Sequence, residues 1–226
     1  VQKRVAYFVK FQTRFERADQ AVAAVGDALR ESVSGKPGVA QIDVPIDVSN
    51  EELGADDMPT PVTAAAPLIR SFPDPQLVAK AAALLRQAER PVLLIGGGAH
   101  YSGAGEGLMR LVEPVHIPVV NSPTSRGVVP ETHPMVLGCA GIICYEPVGA
   151  AIEEADLVLA IGSRLSDIQT SRGDLLPKDA PIIQVDIEPA GIGREYPVEI
   201  GIVADAQGFA DALVMALVAE PPEVPD

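Results

Sequence analysis

The sequence predicts an α/β fold, a doubly wound and mostly parallel sheet of six strands, preceded by a partial α/β segment. Three observations carry that expectation. Apolar runs of strand length alternate with helical patterns from Asp74 onward. Two of those runs, Val92–Ile95 and Leu157–Ile161, are wholly aliphatic, as strands buried on both faces of a parallel sheet must be. Glycines follow directly, Gly96-Gly97-Gly98 after the first run and Gly162 after the second.

The elements follow in order. From Asp19 to Ser32 apolar residues recur at helical spacing (Ala21, Val22, Val25, Ala28, Leu29) until Ser34-Gly35-Lys36-Pro37-Gly38 stops the helix. Val39–Val44 reads as a half-buried strand closed by Pro45. One helix and one strand cannot enclose a core, so residues 1–48 look like the end of a larger unit. Residues 49–73 are acidic, then rich in proline, and read as a linker. Residues 74–220 form the main domain, with a tail over 221–226. Asp74-Pro75 opens a helix as a capping residue followed by proline. Strands are expected at 91–95, 117–120, 135–137, 157–161, 182–185 and 198–203. Helices are expected near 106–113 and 148–155, and a last one, capped by Asp205, runs to Ala219.

Composition narrows the function. Among 226 residues, 31 acidic against 17 basic side chains give a net charge of −14. Such a surface repels phosphate backbones and anionic lipid, so neither nucleic acid nor a membrane is an expected partner. No apolar run approaches the ~20 residues of a membrane span, and no secretory leader pattern opens the sequence. Cys139 and Cys144, separated by four residues, form no disulfide framework or zinc ribbon and suit a cytoplasmic protein. His100, His116 and His133 lack neighbours at metal-ligand spacing, so no metal site is expected.

Candidate ligand chemistry lies at the strand ends. In an open parallel sheet, ligands bind beyond the carboxyl ends of strands where the strand order reverses. With an order of 3-2-1-4-5-6, the first and fourth strands are neighbours, and Gly96, Gly97 and Gly98 face Gly162 and Ser163 across one crevice. Glycine amides can approach a diphosphate, Arg164 can pair with it, and Asp186 and Ile187 end the fifth strand where a ribose would lie. The same glycines serve equally as plain turns, and both readings stand. No nucleophile elbow, zinc-protease helix or phosphate-binding loop of the Walker type occurs, so no catalytic residue is assigned.

Four motifs in order resemble the thiamine diphosphate-dependent enzymes of the acetolactate synthase and pyruvate decarboxylase type. They are Arg90–Ala99 with Ser102-Gly103-Ala104, Gly127–Pro134 with Leu137-Gly138, Ala155–Asp167, and Ile183–Gly193. Upstream, Lys10, Ser34–Gly38 and Ile42–Val48 resemble the end of the family's pyrimidine-binding domain. The resemblance implies a Rossmann-like central domain and a fragment of an enzyme acting on 2-oxo acids. It implies thiamine diphosphate and Mg²⁺ in the parent enzyme, because the catalytic glutamate and the Gly-Asp-Gly metal motif belong to the flanking domains. It also implies a homo-oligomer, dimer or tetramer. Central domains of the family hold FAD, hold ADP, or are empty. Here Leu165 and Ile168 replace an aromatic and an arginine of the flavin-binding pattern, and Gly138-Cys139-Ala140-Gly141 replaces the loop beneath the flavin, which weighs against FAD. A stand-alone module binding FAD, ADP or NAD, and part of a cyclic-diketone hydrolase of inositol breakdown, are the alternatives.

Overall fold

A computed structural model describes residues 8–54, 70–142 and 144–219. The chain divides into two compact units, Val1–Ile69 and Arg70–Asp226. Most of the expected linker, residues 55–69, lies outside the described residues, as does the expected tail over 221–226.

The first unit corrects the expectation of one helix and one strand. It holds β1 (Phe11–Arg14), α1 (Ala21–Val33), β2 (Ala40–Asp43) and the short α2 (Ile46–Ser49). The strand missed is β1, whose sequence Phe-Gln-Thr-Arg has one apolar residue and no alternation. It exists through pairing, parallel to β2 with Phe11 opposite Ala40 and Arg14 opposite Asp43. Lys10 fastens the start of β1: its amide donates to the Val39 carbonyl at 2.8 Å and its Nζ to the Ser34 carbonyl. The core is small, with Phe15, Ala24 and Val48 packed against Ala18, Ala21 and Ile42. Pro45, expected only to end β2, also caps α2.

The second unit is the doubly wound sheet. Its strands are β3 (Pro91–Ile95), β4 (Val119–Asn121), β5 (Val136–Cys139), β6 (Leu157–Ile161), β7 (Ile182–Asp186) and β8 (Ile200–Val203). All neighbours are parallel, in the order β5-β4-β3-β6-β7-β8. That is the expected 3-2-1-4-5-6 order, with its reversal between β3 and β6. The helices are α3 (Pro75–Gln87), α4 (Gly97–Ser102), α5 (Gly105–Val115), α6 (Glu146–Glu153), α7 (Asp167–Thr170) and α8 (Ala206–Ala219). Asp74 caps α3 by accepting from the Gln76 amide at 2.8 Å, and Asp205 Oδ1 caps α8 through the Gly208 amide at 3.1 Å.

Alternation along the strands feeds two cores. Leu93, Ile95, Leu159 and Ile161 join Leu108, Phe209 and Leu213 on one face. Val92, Leu94, Val158 and Ala160 join Val148 and Ile152 on the other. Burial on both faces explains why these strands read as unbroken aliphatic runs. One expectation changes: Gly97-Gly98 do not form a plain turn but open α4, with the Ala99 amide bonded to the Gly96 carbonyl at 3.1 Å.

Candidate functional site

The crevice begins where β3 and β6 end side by side, Ile95 opposite Ile161. The Gly96 amide donates to the Ile161 carbonyl and the Gly98 amide to the Gly162 carbonyl, both at 2.9 Å. A methyl group on Gly96 would sit 2.2 Å from the Gly162 carbonyl oxygen and 2.6 Å from the Ser163 Cα. Gly162 has a φ of +61°, and a Cβ there would lie 2.4 Å from the Ala99 nitrogen. Backbone therefore meets backbone with no side chain between. The Gly96 and Gly98 amides, expected to face a diphosphate, are committed to the neighbouring loop.

Ser163 is buried and its polar atoms are used. Its Oγ donates to Gln169 Oε1 at 2.6 Å and accepts from the Leu165 amide at 3.1 Å. Its carbonyl accepts from Gln184 Nε2 at 3.0 Å. Gln184, in the middle of β7, also donates to the Gly191 carbonyl and accepts from the Gly193 amide at 2.8 Å. One buried carboxamide thus ties the loop after β6 to the loop after β7. Sequence reasoning missed it, although a glutamine inside Ile182-Ile183-Gln184-Val185 is a readable signal, because a buried polar side chain needs partners.

Arg164 is exposed, and its Cγ lies 3.8 Å from where a Cβ on Gly191 would be, beside the loop after β7. Leu165 is buried at a φ of +53°. A left-handed leucine costs ~1–2 kcal/mol, held here by packing and by the Ser163 hydroxyl. Asp186 ends β7, and its Oδ1 accepts from the Glu188 amide at 2.9 Å; Ile187 beside it is half-buried. The structure so brings together Gly96–Gly98 with Gly162–Ser163, and sets Arg164 against the loop that follows Asp186.

On the other side of the glycine junction, β4 ends in Asn121, a residue 1% exposed whose Oδ1 is buried without a hydrogen-bond partner. The Asn121 carbonyl accepts from the Ala140 amide at 2.8 Å. The next residue, Gly141, has a φ of +119°, and a Cβ there would meet the Ile168 carbonyl oxygen at 2.4 Å and the Gln169 Cα at 3.5 Å. The Ile142 amide donates to that same Ile168 carbonyl at 3.1 Å. The loop after β5 is thereby fastened to α7. Gln169 is 5% exposed, and its Nε2 also has no partner. Ile142, Tyr145 and Ile168 are exposed on these two loops.

Titratable groups near the β5 loop are few. Burial pushes the Cys139 thiol above its ordinary value, with Arg126 pulling the other way. Arg126 grips Glu131 with two 2.7 Å bonds and holds its carboxyl below the usual range. His133 Nδ1 accepts from the Met135 amide at 3.2 Å. Among the described residues no three His, Cys, Asp or Glu side chains come together as metal ligands, and no helix is long and apolar enough to cross a membrane. The glycine junction uses its own amides, and beside it stand two buried amide atoms without partners and the exposed Arg164 guanidinium.

Comparison with known proteins agrees with this architecture. Residues 78–213 match the family model described as thiamine pyrophosphate enzyme, central domain. The chain is 38% identical over 194 residues to a probable acetolactate synthase large subunit of Methanocaldococcus jannaschii, covering 85% of this chain and 33% of that protein. It is 35% identical over 205 residues to an acetolactate synthase large subunit of Corynebacterium glutamicum, covering 90% and 32%. It is 31% identical over 211 residues to an oxalyl-CoA decarboxylase of Escherichia coli, covering 93% and 36%. The chain spans about a third of the length of these curated relatives.

Proposed function

The chain belongs to the thiamine pyrophosphate enzymes through their central domain, and from that premise we propose that it is the middle part of a longer enzyme acting on a 2-oxo acid, like acetolactate synthase. In this reading the central domain binds an adenine nucleotide, FAD or ADP, at the crevice between β3 and β6. The observation that carries the nucleotide reading is the reversal of strand order there, with the exposed Arg164 beside it. Gly97, Ser163 and Arg164 line the diphosphate position, and Asp186 and Ile187 stand on the ribose side.

Thiamine diphosphate, bound with Mg²⁺, supplies a carbanion-stabilising ylid to the whole enzyme. The residues of this chain do not fit it: the sequence has no Gly-Asp-Gly segment for the metal, and no step is assigned to them. The chain alone is then inactive in decarboxylation and carboligation. The parent enzyme is a cytoplasmic homo-oligomer in this reading. Leu165 supports ADP over FAD on the ring side, because its side chain is turned into the core and offers nothing to a flavin.

Calorimetry with ADP and with FAD tests the nucleotide reading. A guanidinium–phosphate bond is worth ~1.5–3 kcal/mol, so Arg164→Ala should weaken binding roughly ten- to a hundredfold. Undiminished affinity would move the site elsewhere, and no binding by the parent chain would leave the crevice structural. Turnover of pyruvate by this chain, with thiamine diphosphate and Mg²⁺ added, would overturn the fragment reading.

A further inference from the structure

The loop after β6 departs from what its residues prescribe. Ser166-Asp167-Ile168-Gln169-Thr170-Ser171-Arg172-Gly173 offers a serine cap, an acidic first position and glutamine at the third, then a basic residue and a closing glycine. Those are the start and stop signals of a helix from Asp167 to Arg172, with Gly173 as its left-handed last residue. In the structure α7 stops at Thr170, and Ser171 and Arg172 are left-handed, with φ values of +51° and +62°. Among the described residues only Leu165 and His116 share a positive φ without being glycine. Each such residue is disfavoured roughly five- to thirtyfold.

We propose that α7 is a two-state latch. When short, as here, it fastens the loop after β5; when it continues to Arg172, it lets that loop go. The proposal needs no ligand in the crevice.

The two states compete for one carbonyl. The Ile168 oxygen accepts from the Ile142 amide at 3.1 Å. In a continued helix that oxygen takes the Arg172 amide, four residues on, as the Asp167 oxygen already takes the Ser171 amide. Gly141 crowds the same atom, since a Cβ there would lie 2.4 Å from it. A second donor must therefore displace the β5 loop.

The short state is held from the loop after β7. The buried Thr170 hydroxyl meets the Tyr196 hydroxyl at 2.8 Å and accepts from the Gly173 amide at 3.2 Å. Against these bonds stand two left-handed residues, a Gln169 Nε2 buried without a partner, and a Ser166 that makes no side-chain cap bond. Gln169 is turned inward by the Ser163 hydroxyl at 2.6 Å. In the long state it can turn back to the Ser166 amide and complete the reciprocal cap. Local sequence and fold thus pull this segment in opposite directions, as a bistable element requires.

Amide hydrogen exchange of the full chain, read residue by residue, tests the latch. Arg172→Gly removes a left-handed penalty from the short state and weakens the longer helix. Exchange at the Ile142 amide, thirty positions away, should then slow about five- to thirtyfold. Ser171→Ala combined with Tyr196→Phe does the reverse, because alanine favours the helix and phenylalanine lacks the bond to Thr170. In that double variant the Ile142 amide should exchange at least about fivefold faster, while the Arg172 amide slows. Unchanged exchange at Ile142 in Arg172→Gly would overturn the proposal. So would faster exchange at both Ile142 and Arg172 in the double variant, the mark of a loop that frays without gaining a helix. Arg172→Gly relieves strain rather than adding it, so its result decides even where the double variant does not fold.

Discussion

Two stretches of one sheet edge meet opposite demands. Between β3 and β6, Gly96, Gly98 and Gly162 bring backbones so close that a methyl group would overlap the opposite chain, and the amides of Gly96 and Gly98 are bonded across the gap. At the ends of β4 and α7 the side chains are polar, buried and incompletely paired. The first stretch pairs the amides it buries, and the second leaves two amide atoms unpaired. Glycine at a strand end therefore reports close packing of backbone on backbone at least as much as ligand contact.

The glycine side can be broken most severely. Gly96→Ala puts a carbon against backbone on the neighbouring loop, where neither partner is a flexible side-chain end. Overpacking of this kind costs about 3 kcal/mol, the upper end of its usual range. Urea unfolding should show it, whereas Gly103→Asn, at a φ of +67° with nothing within 4 Å, should lose no more than about 1 kcal/mol. Equal losses at the two positions would mean that close approach is not what Gly96 provides.

The next effect concerns what holds the finished side together. Gln184→Leu strands the Ser163 and Gly191 carbonyls and the Gly193 amide, at ~1–3 kcal/mol for each group that stays buried. Hydrogen exchange should quicken at Gly193 and Leu165 before the central strands are affected. Unchanged exchange at both would show that the two loops hold their places without the glutamine.

The smallest effect is a titration at the end of β5, beside the incompletely paired stretch. Burial raises the Cys139 thiol above the ordinary value of 9.0. A raised folded-state value gives stability that is full below pH 9 and lost as pH climbs through the folded value. Alkylation of Cys139 at pH 8.5 should be slower than that of a free thiol, and unfolding free energy should dip slightly toward pH 10. A Cys139 that alkylates as fast as glutathione would place it in solvent.

The sheet was legible in the sequence because parallel strands buried on both faces demand continuous aliphatics: Val92–Ile95 and Leu157–Ile161 have no other comfortable home. The strand β1 was not, since Phe11–Arg14 becomes a strand only by pairing with β2. The start of α4 was hidden for a related reason, as Gly97 and Gly98 are poor helix formers placed in a helix by the packing of the β6 loop. The meeting of Gly96–Gly98 with Gly162–Ser163 followed from strand order, but the use of their amides did not, because hydrogen-bond partners across a sheet edge leave no local pattern. Asn121 closes Val119-Val120-Asn121 as a polar residue on an apolar strand, a signal of the same kind as Gln184. Gln169, in the polar run Ser166-Asp167-Ile168-Gln169-Thr170-Ser171, had none.

The pairing of β3 with β6 has a consequence for assembly of the sheet itself. Ile95 and Ile161 are partners sixty-six positions apart in the chain, while β3-β4-β5 and β6-β7-β8 each form a run of successive neighbours. The sheet is two three-stranded halves joined along a single seam, and among the strand pairings the seam closes the longest loop. A nick between Cys139 and Glu146 would cut no strand and part only one strand pair. Two pieces cut there would have to reassemble through that pair and through the packing of α3, α4 and α5 on α8, a concentration-dependent step that the intact chain completes within one molecule.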